Sequence, residues 1–405
     1  MKFDVVIVGG GMVGATLAVA LAPLKLRVAI IEAVPYNAAT QPSFDERTTA
    51  LSNGSRRILE TLTVWPALSA HATPILKIHV SDQGRFGFAR IDAAEQGLAA
   101  MGYVLPNRAL GSALWSRLEA CPGLQVYCPS EVSHLVANEE SVTVHIAQAA
   151  GATSITAKLI VAADGAQSAV RGAFGIDAEV HGYAQTAIIT TILPQRFHDN
   201  VAYERFTPSG PLALLPLEGG RCTLVLTQAS EAAQAAMEWS DAEFIAEVQR
   251  RFGFRLGRFL KVGRRHAYPL SLTRARQTSA RRCVIIGNAA QGLHPVAGMG
   301  FNLGLRDVAT LAELIAERAG QEADPGNPEL LSQYAAWRAA DRTGVIAFTD
   351  GLVRMFSSPL ASVRMLRNLG LLAFDLLPPA KAALSRLSTG GRGRVPKLAR
   401  GVALK

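Results

Sequence analysis

The chain has 405 residues, 49% of them apolar, with 41 Lys and Arg against 32 Asp and Glu and hence a formal charge of +9. That length supports two domains with cores of their own, and 36 glycines suit an α/β fold with tight turns. No apolar run reaches the roughly 18 residues of a spanning helix, and Cys121, Cys128, Cys222 and Cys283 have neither zinc-ribbon nor C-x-x-C spacing. The expectation is a cytoplasmic protein with no metal, no disulfide and no membrane span.

Phe3 to Val8 is a continuous apolar, β-branched run, the pattern of a buried parallel strand. Gly9, Gly11 and Gly14 follow as G-x-G-x-x-G on a strand-to-helix turn, with the helix over Val13 to Leu21. The first glycine makes the turn, the second lets backbone approach a pyrophosphate, and the third lets the helix pack on its strand. Arg27 to Ile31 reads as the next strand and ends on Glu32, about 20 residues beyond the glycines, where a carboxylate can bind a ribose. Strand, glycines, helix, strand and acid in that order predict an ADP-binding unit. The fingerprint starts within ten residues of Met1, which argues against a leader ahead of it.

Ile75 to Val80 and Phe86 to Ile91 read as strands. Lys158 to Ala163 is another, ending in Asp164-Gly165, with Val170-Arg171 on a following helix. Ala187 to Leu193, Ala202 to Phe206, Leu212 to Pro216 and Cys222 to Gln228 form a consecutive antiparallel pattern, punctuated by Pro208-Ser209-Gly210 and Glu218-Gly219-Gly220, which the two earlier strands join. Asp241 to Phe252 is a helix with Ser240 and Glu243 as a capping box. Cys283 to Ile286 is the last buried strand and ends in Gly287-Asn288. The turn from Gly298 through Gly300 to Asn302 then opens a helix that runs to about Arg318. Past Ala340 come helices with an unusually apolar stretch from Ile346 to Phe374.

The second glycine turn decides the cofactor. A helix N-terminus carries partial positive charge and unpaired N–H groups. Aimed at the pyrimidine end of an isoalloxazine, it stabilises the negative charge of reduced flavin. NAD has no such ring, so the expected cofactor is FAD, bound without a covalent link. The fold expected is α/β: a discontinuous Rossmann-like FAD-binding domain (1–74, 103–179 and 273–340) with an inserted antiparallel β-sheet substrate domain (75–102 and 180–272). C-terminal helices (341–389) and a basic, disordered tail (390–405) complete it.

Together these segments, with Asp45 to Leu51, Glu204 to Thr207 and Gly210 to Pro216, resemble the class A flavoprotein aromatic hydroxylases. Within them the resemblance is to the ubiquinone-biosynthesis monooxygenases, and it covers nearly the whole chain. It implies that Gly9, Gly11, Gly14 and Glu32 hold the ADP moiety and that Arg47 and Arg108 touch the phosphate and ribityl region. It further implies that Asp164 and Gly165 lie near the flavin and Asn288 at the ribityl chain or pyrophosphate. Pro295, Gly298, Gly300 and Asn302 wrap the ring. Most of the wider family has aspartate where this chain has Asn288, so the contact expected there is an uncharged hydrogen bond.

The reaction implied is O₂ activation as a flavin C4a-hydroperoxide and oxygen transfer to a polyprenylated methoxyphenol. The flavin does the chemistry, and His294 and Pro295 are the only catalytic candidates offered. Arg205, Phe206 and Leu214 are the substrate-binding candidates. With one glycine fingerprint, NAD(P)H has no Rossmann domain of its own, so it docks transiently or another protein supplies the electrons. Two rivals stay open: another flavin enzyme, such as a halogenase or prenyl reductase, and a non-catalytic flavoprotein scaffold in a quinone-synthesis complex. From Lys381 onward there are seven Lys or Arg and no acid, leaving +2 for the rest, which argues against a nucleic-acid-binding body. The basic tail and the apolar helices are two routes to peripheral contact with the inner face of a membrane.

Overall fold

The computed structural model describes all residues other than 39, 42, 44, 46, 150, 295–297, 320–323, 358–360 and 390–393. Its first layer is a parallel sheet in the order Cys283–Ile285, Gly151–Ala162, Lys2–Val8, Val28–Ile31 and Leu124–Tyr127. Val5, Val6, Ile7, Ile30, Ile160, Val161 and Val284 are all fully buried. Both faces of the strands are covered, so the sequence runs apolar without alternation. The helices Met12–Leu21 and Met299–Ala319 pack together on one face, through Ala15, Leu305 and Val308 among others. Gly151–Ala162 enters the sheet from an antiparallel meander with Glu131–Ala137 and Val142–Gln148.

The second sheet runs Gln291–Gly292, His266–Ala275, Ala178–Pro194, Cys222–Ala229, Gly210–Pro216, Val201–Thr207, Lys77–Asp82 and Phe88–Asp92, with Phe259–Val262 beside Ala178–Pro194. It is antiparallel except where Val201–Thr207 meets Lys77–Asp82. The early strands therefore do join the inserted sheet, as their pattern predicts. One face is sealed by the helices Ser230–Glu238 and Asp241–Phe252, with Leu212, Leu214, Leu224 and Leu226 packed on Phe244 and Val248. The capping box at Ser240 and Glu243 is present. The other face looks into a cavity.

Three helices finish the chain's main body: Pro328–Ser357, Ala361–Leu376 and Pro378–Thr389. The middle one lies over Phe88–Asp92. It is fastened there by the Gly87 N–H donating to Asn368 Oδ1 (3.0 Å), the Arg90 N–H donating to Asp375 Oδ1 (2.7 Å), and a buried Arg367–Asp82 ion pair.

The expectation of a disordered basic tail is corrected for residues 394–405; residues 390–393 lie outside the described part. Arg394 pairs with Glu313 (2.8 Å) and Glu317 (3.0 Å) and stacks on Trp337, 3.9 Å from the ring centre. Leu398 and Leu404 are buried in the core beneath the parallel sheet. The charges that looked solvated in sequence are partly paired by acids some 80 positions earlier. The two leucines supply an apolar anchor of about 1.5–3 kcal/mol each.

Candidate active site

A continuous cavity of about 1370 Å³ begins at Gly9 and Gly11, passes Asp164, Asn288 and Gly298, and ends over the antiparallel sheet beneath Phe348, Leu371 and Phe374. That exceeds the roughly 300–1000 Å³ of a site for one drug-sized ligand. It has room for a dinucleotide and a second molecule.

The three fingerprint glycines are needed for different reasons. Gly9 has φ +102°, and a Cβ there would lie 2.4 Å from the Ala163 carbonyl oxygen. A Cβ on Gly14 would lie 1.9 Å from the Gly9 carbonyl oxygen. Gly11 has an ordinary φ of −65°, lines the cavity, and a Cβ there would meet only the Ser43 side chain, at 2.8 Å from Oγ. Glu32 also lines the cavity, its carboxylate held by the Gly10 N–H and by the Val34 N–H at 2.9 Å.

The surrounding wall comes from residues that no local motif announces. Gln41 donates to the Val34 carbonyl (2.9 Å) and accepts from the Ser43 N–H (2.9 Å), closing the loop after Glu32. Trp115 donates its indole N–H to the Gly10 carbonyl (3.1 Å) and stacks on Tyr36.

Toward the middle of the cavity, Asp164 Oδ2 accepts from the Val170 N–H (3.1 Å), while Oδ1 is buried without a hydrogen-bond partner among the described residues. A buried acceptor with nothing to accept from costs about 1–3 kcal/mol, which a ligand hydroxyl would recover. Asn288 presents an exposed side chain to the same space, next to Gly287. Arg47 lies at the wall over the ring of Tyr268, 4.6 Å from its centre, and donates to Asp45 Oδ1 (2.9 Å); the Tyr268 hydroxyl donates to Asp45 Oδ2 (3.1 Å). Arg108 is exposed and does not line the cavity. Its neighbour Asn107 does, accepting from the Thr49 hydroxyl at 2.6 Å.

At the second helix N-terminus, Gly298 (φ +58°) and Gly300 line the cavity, and Pro295 lies outside the described residues. Asn302 plays a different part from the one its position suggests. Its Oδ1 accepts from the Ser52 N–H (2.8 Å) and the Ser55 hydroxyl (2.6 Å), and its Nδ2 donates to the Ala50 (2.8 Å) and Gly298 (2.7 Å) carbonyls. The amide is saturated, so the side chain locks the turn in place and leaves recognition to the backbone. His294 is buried with its ring edge-on to Tyr183, and burial lowers its pKa to about 4, so it is a neutral imidazole at physiological pH.

Asp307, buried to zero exposure, organises the same region. Its Oδ2 accepts from the Gly287 N–H (3.1 Å) and Gln291 (2.6 Å), and its Oδ1 from Arg338 (2.7 Å). Arg338 also pairs with Asp341, which pairs with Arg306 at 2.9 Å. The Gly287-Asn288 turn is thereby tied to the helix Pro328–Ser357. No local sequence motif assigns Asp307 this role; its partners lie 16 to 31 positions away.

Two substrate-binding expectations are corrected by strand alternation. In Val201–Thr207, Ala202, Glu204 and Phe206 face the cavity. Arg205 points to the opposite face, where it donates to the Arg251 carbonyl (2.9 Å) and reaches Ser81. In Gly210–Pro216, Pro211, Ala213 and Leu215 line the cavity, whereas Leu214 is buried under the sealing helices. Successive side chains on a strand point to opposite faces, and a one-residue error in phase exchanges them. Phe206 does line the cavity.

Residues 2–349 match the family model described as an FAD binding domain. The ubiquinone hydroxylase UbiL of Rhodospirillum rubrum is 39% identical across 99% of this chain and 93% of its own length. The chain belongs to the FAD-dependent ubiquinone hydroxylase family. The 3-demethoxyubiquinol 3-hydroxylase of Escherichia coli is 33% identical over 92% of this hydroxylase and 94% of its own chain. Among solved structures, p-nitrophenol 4-monooxygenase of Pseudomonas putida superposes with a TM-score of 0.79 at 19% identity, covering 97% of this hydroxylase and 100% of that chain, which establishes the shared fold. The hydroxylase uses FAD, and the residues present fit it. Two helix N-termini meet one cavity, the second glycine leaves room beside the first, and Asp164 offers an unused buried acceptor.

Proposed function

We propose that the enzyme hydroxylates the aromatic ring of a polyprenylated methoxyphenol in ubiquinone biosynthesis, with O₂ as the oxygen source and NAD(P)H as the reductant. The observation that carries this reading is the continuity of the cavity. The dinucleotide end opens without a partition into a chamber walled by Ile78, Ile91, Leu215, Phe348, Leu371 and Phe374. Bound FAD supplies the activation of O₂. The chain's own residues do the rest. Gly9 to Gly14 and Glu32 seat the ADP half, Asp164 takes a hydroxyl of the cofactor, and Asn302 and Asp307 hold the two glycine turns in register. The apolar chamber excludes water and accepts the prenyl chain. Incubation with a prenylated methoxyphenol, NAD(P)H and ¹⁸O₂, followed by mass spectrometry, is expected to give a product with one labelled ring oxygen. Label arriving from water instead of O₂, or a bound flavin that never consumes O₂ in the presence of the phenol, overturns the reading.

The same reading places the enzyme at a membrane surface. The helix Ala361–Leu376 lines the chamber with Leu371 and Phe374 on its inner side. On its outer side Met365, Leu369 and Leu376 are 66%, 47% and 78% exposed, and the adjacent Leu377 is 52% exposed. Their spacing of four and seven residues makes one apolar stripe. One helix thus separates the chamber from an outward apolar face, a short path for a lipid tail. No helix among the described residues is long and apolar enough to cross a membrane. Because Arg394 is paired internally, binding is expected to rest on this stripe more than on charge. Liposome flotation should therefore persist at high salt and be lost in a Met365→Glu/Leu376→Glu variant. Flotation abolished by salt and untouched by the double variant would reject this surface.

A further inference from the structure

Glu204 is an acid in the chamber wall with no hydrogen-bond or ion-pair partner among the described residues. Strand alternation turns it inward, and its register neighbours are Val80 on one side and Ala213 on the other. Beyond these on the same face stand Ile78, Phe206, Pro211 and Leu215, with Leu371 and Phe374 among the helical residues of the chamber wall. No hydrogen bond or ion pair from a described residue reaches its carboxylate.

Among the described side chains on the elements packed around it, the charged groups are engaged elsewhere, Lys77 with Asp92 at 3.0 Å among them. On Lys77–Asp82, His79 is on the opposite face, stacked on Phe88, and Asp82 pairs with Arg367. Gly210–Pro216 has no titratable side chain. On the helices above, Asp350 accepts from the Tyr183 hydroxyl, and Asp375 is held by Arg90 and Lys381. Glu204 is half-buried and its open direction is the chamber; once a ligand fills the chamber and displaces water, the carboxyl needs a hydrogen-bond partner on that ligand.

We propose that Glu204 is the catalytic base that takes the proton of the substrate's ring hydroxyl, an assignment that rests on reading this enzyme as a phenol hydroxylase. The phenol O–H bond breaks, the proton passes to a carboxylate oxygen, and the electron pair stays on the phenolate oxygen. There it raises electron density at the ortho and para ring carbons, the positions open to an electrophilic oxygen. Oxygen transfer, fed by O₂ and two electrons from NAD(P)H, forms a C–O bond at the ring as the O–O bond breaks; the attacked carbon then sheds its hydrogen as a proton, which leaves with the second oxygen atom as water. Glu204 returns its own proton to the phenolate oxygen, so the carboxylate is regenerated. Burial raises the Glu204 pKa to about 7, which suits a group that must both take and return a proton near neutrality.

The test uses FAD-loaded full-length enzyme, 2-geranyl-6-methoxyphenol and the methyl ether of that phenol. In wild type, kcat is expected to rise about tenfold from pH 6 to pH 8 through one ionisation near 7. Glu204→Gln is expected to lower kcat by about 10²-fold or more and to flatten that rise. Binding to the oxidised enzyme, followed by the flavin absorbance without turnover, should favour the phenol over its ether in wild type and lose that preference in Glu204→Gln. Glu204→Leu, an apolar side chain among apolar neighbours, serves as a second variant that keeps the wall packed. A pH rise and a phenol preference that survive in both variants overturn the role of Glu204 and leave the hydroxylase reading intact. A wild-type enzyme that neither binds nor oxidises the phenol sinks both.

Discussion

Gly11→Val is expected to give a folded but colourless protein. The backbone at Gly11 has φ −65°, which any residue adopts, and the added Cβ meets only the Ser43 hydroxyl, the end of a side chain that can rotate away. The fold should therefore survive. The new side chain stands on the cavity wall at the N-terminus of Met12–Leu21, where the pyrophosphate must come close to backbone N–H groups. FAD affinity is expected to fall by on the order of 10³, equivalent to about 4 kcal/mol. The absorbance of purified protein at the flavin bands reads the loss, and circular dichroism confirms the fold. Gly14→Val is the contrasting case: its Cβ would lie 1.9 Å from the Gly9 carbonyl oxygen, and backbone cannot step aside as a hydroxyl can. That protein should fail to fold. Stoichiometric FAD in folded Gly11→Val would refute the assignment of the ADP site.

Asp307→Ala is expected to destabilise the protein by about 3–5 kcal/mol, because it leaves a buried cation facing a lost partner. Arg338 would keep Asp341, which already serves Arg306, and a long bond to the Leu303 carbonyl (3.4 Å), and the Gly287 N–H and Gln291 would lose their acceptor. Replacing both members, as Asp307→Leu/Arg338→Leu, removes the orphaned charge with the partner. The double variant should therefore cost less than the sum of the two single changes. Urea unfolding at neutral pH measures all three. FAD retention should fall as well, since the freed Gly287-Asn288 turn lines the cavity. An Asp307→Ala protein within about 1 kcal/mol of wild type would show that the network does not hold this turn.

The apolar chamber explains why the chain carries so little visible catalytic machinery. Chemistry supplied by a cofactor asks the protein for position, dryness and a few placed polar groups. Thr48, whose hydroxyl meets that of Thr223 at 2.9 Å, and Tyr268, bonded to Asp45, are side-chain ties between the cofactor side and the substrate sheet. Both pairs are more than 170 positions apart in sequence.

What the sequence determined by itself was whatever has a short-range cause. Lys2–Val8, the Gly9 to Gly14 turn and Met12–Leu21 follow from an apolar run, a turn that needs glycine, and a helix that needs a close approach. The capping box at Ser240 and the four antiparallel strands read between Ala187 and Gln228 are likewise local patterns, although the first strand begins earlier, at Ala178. What only the tertiary structure decided was phase and partnership. Period-two alternation says that Glu204 and Arg205 face opposite ways, but which of them meets the cavity depends on what covers each side of the sheet. Asn302 belongs to a glycine turn in sequence, yet its amide is consumed by Ala50, Ser52 and Ser55, some 250 positions away. The basic residues after 390 look solvated until Glu313 and Glu317 are placed beside Arg394. Hydrogen bonds and ion pairs of this reach are set by how the layers stack, and no window of neighbouring residues contains the information to choose them.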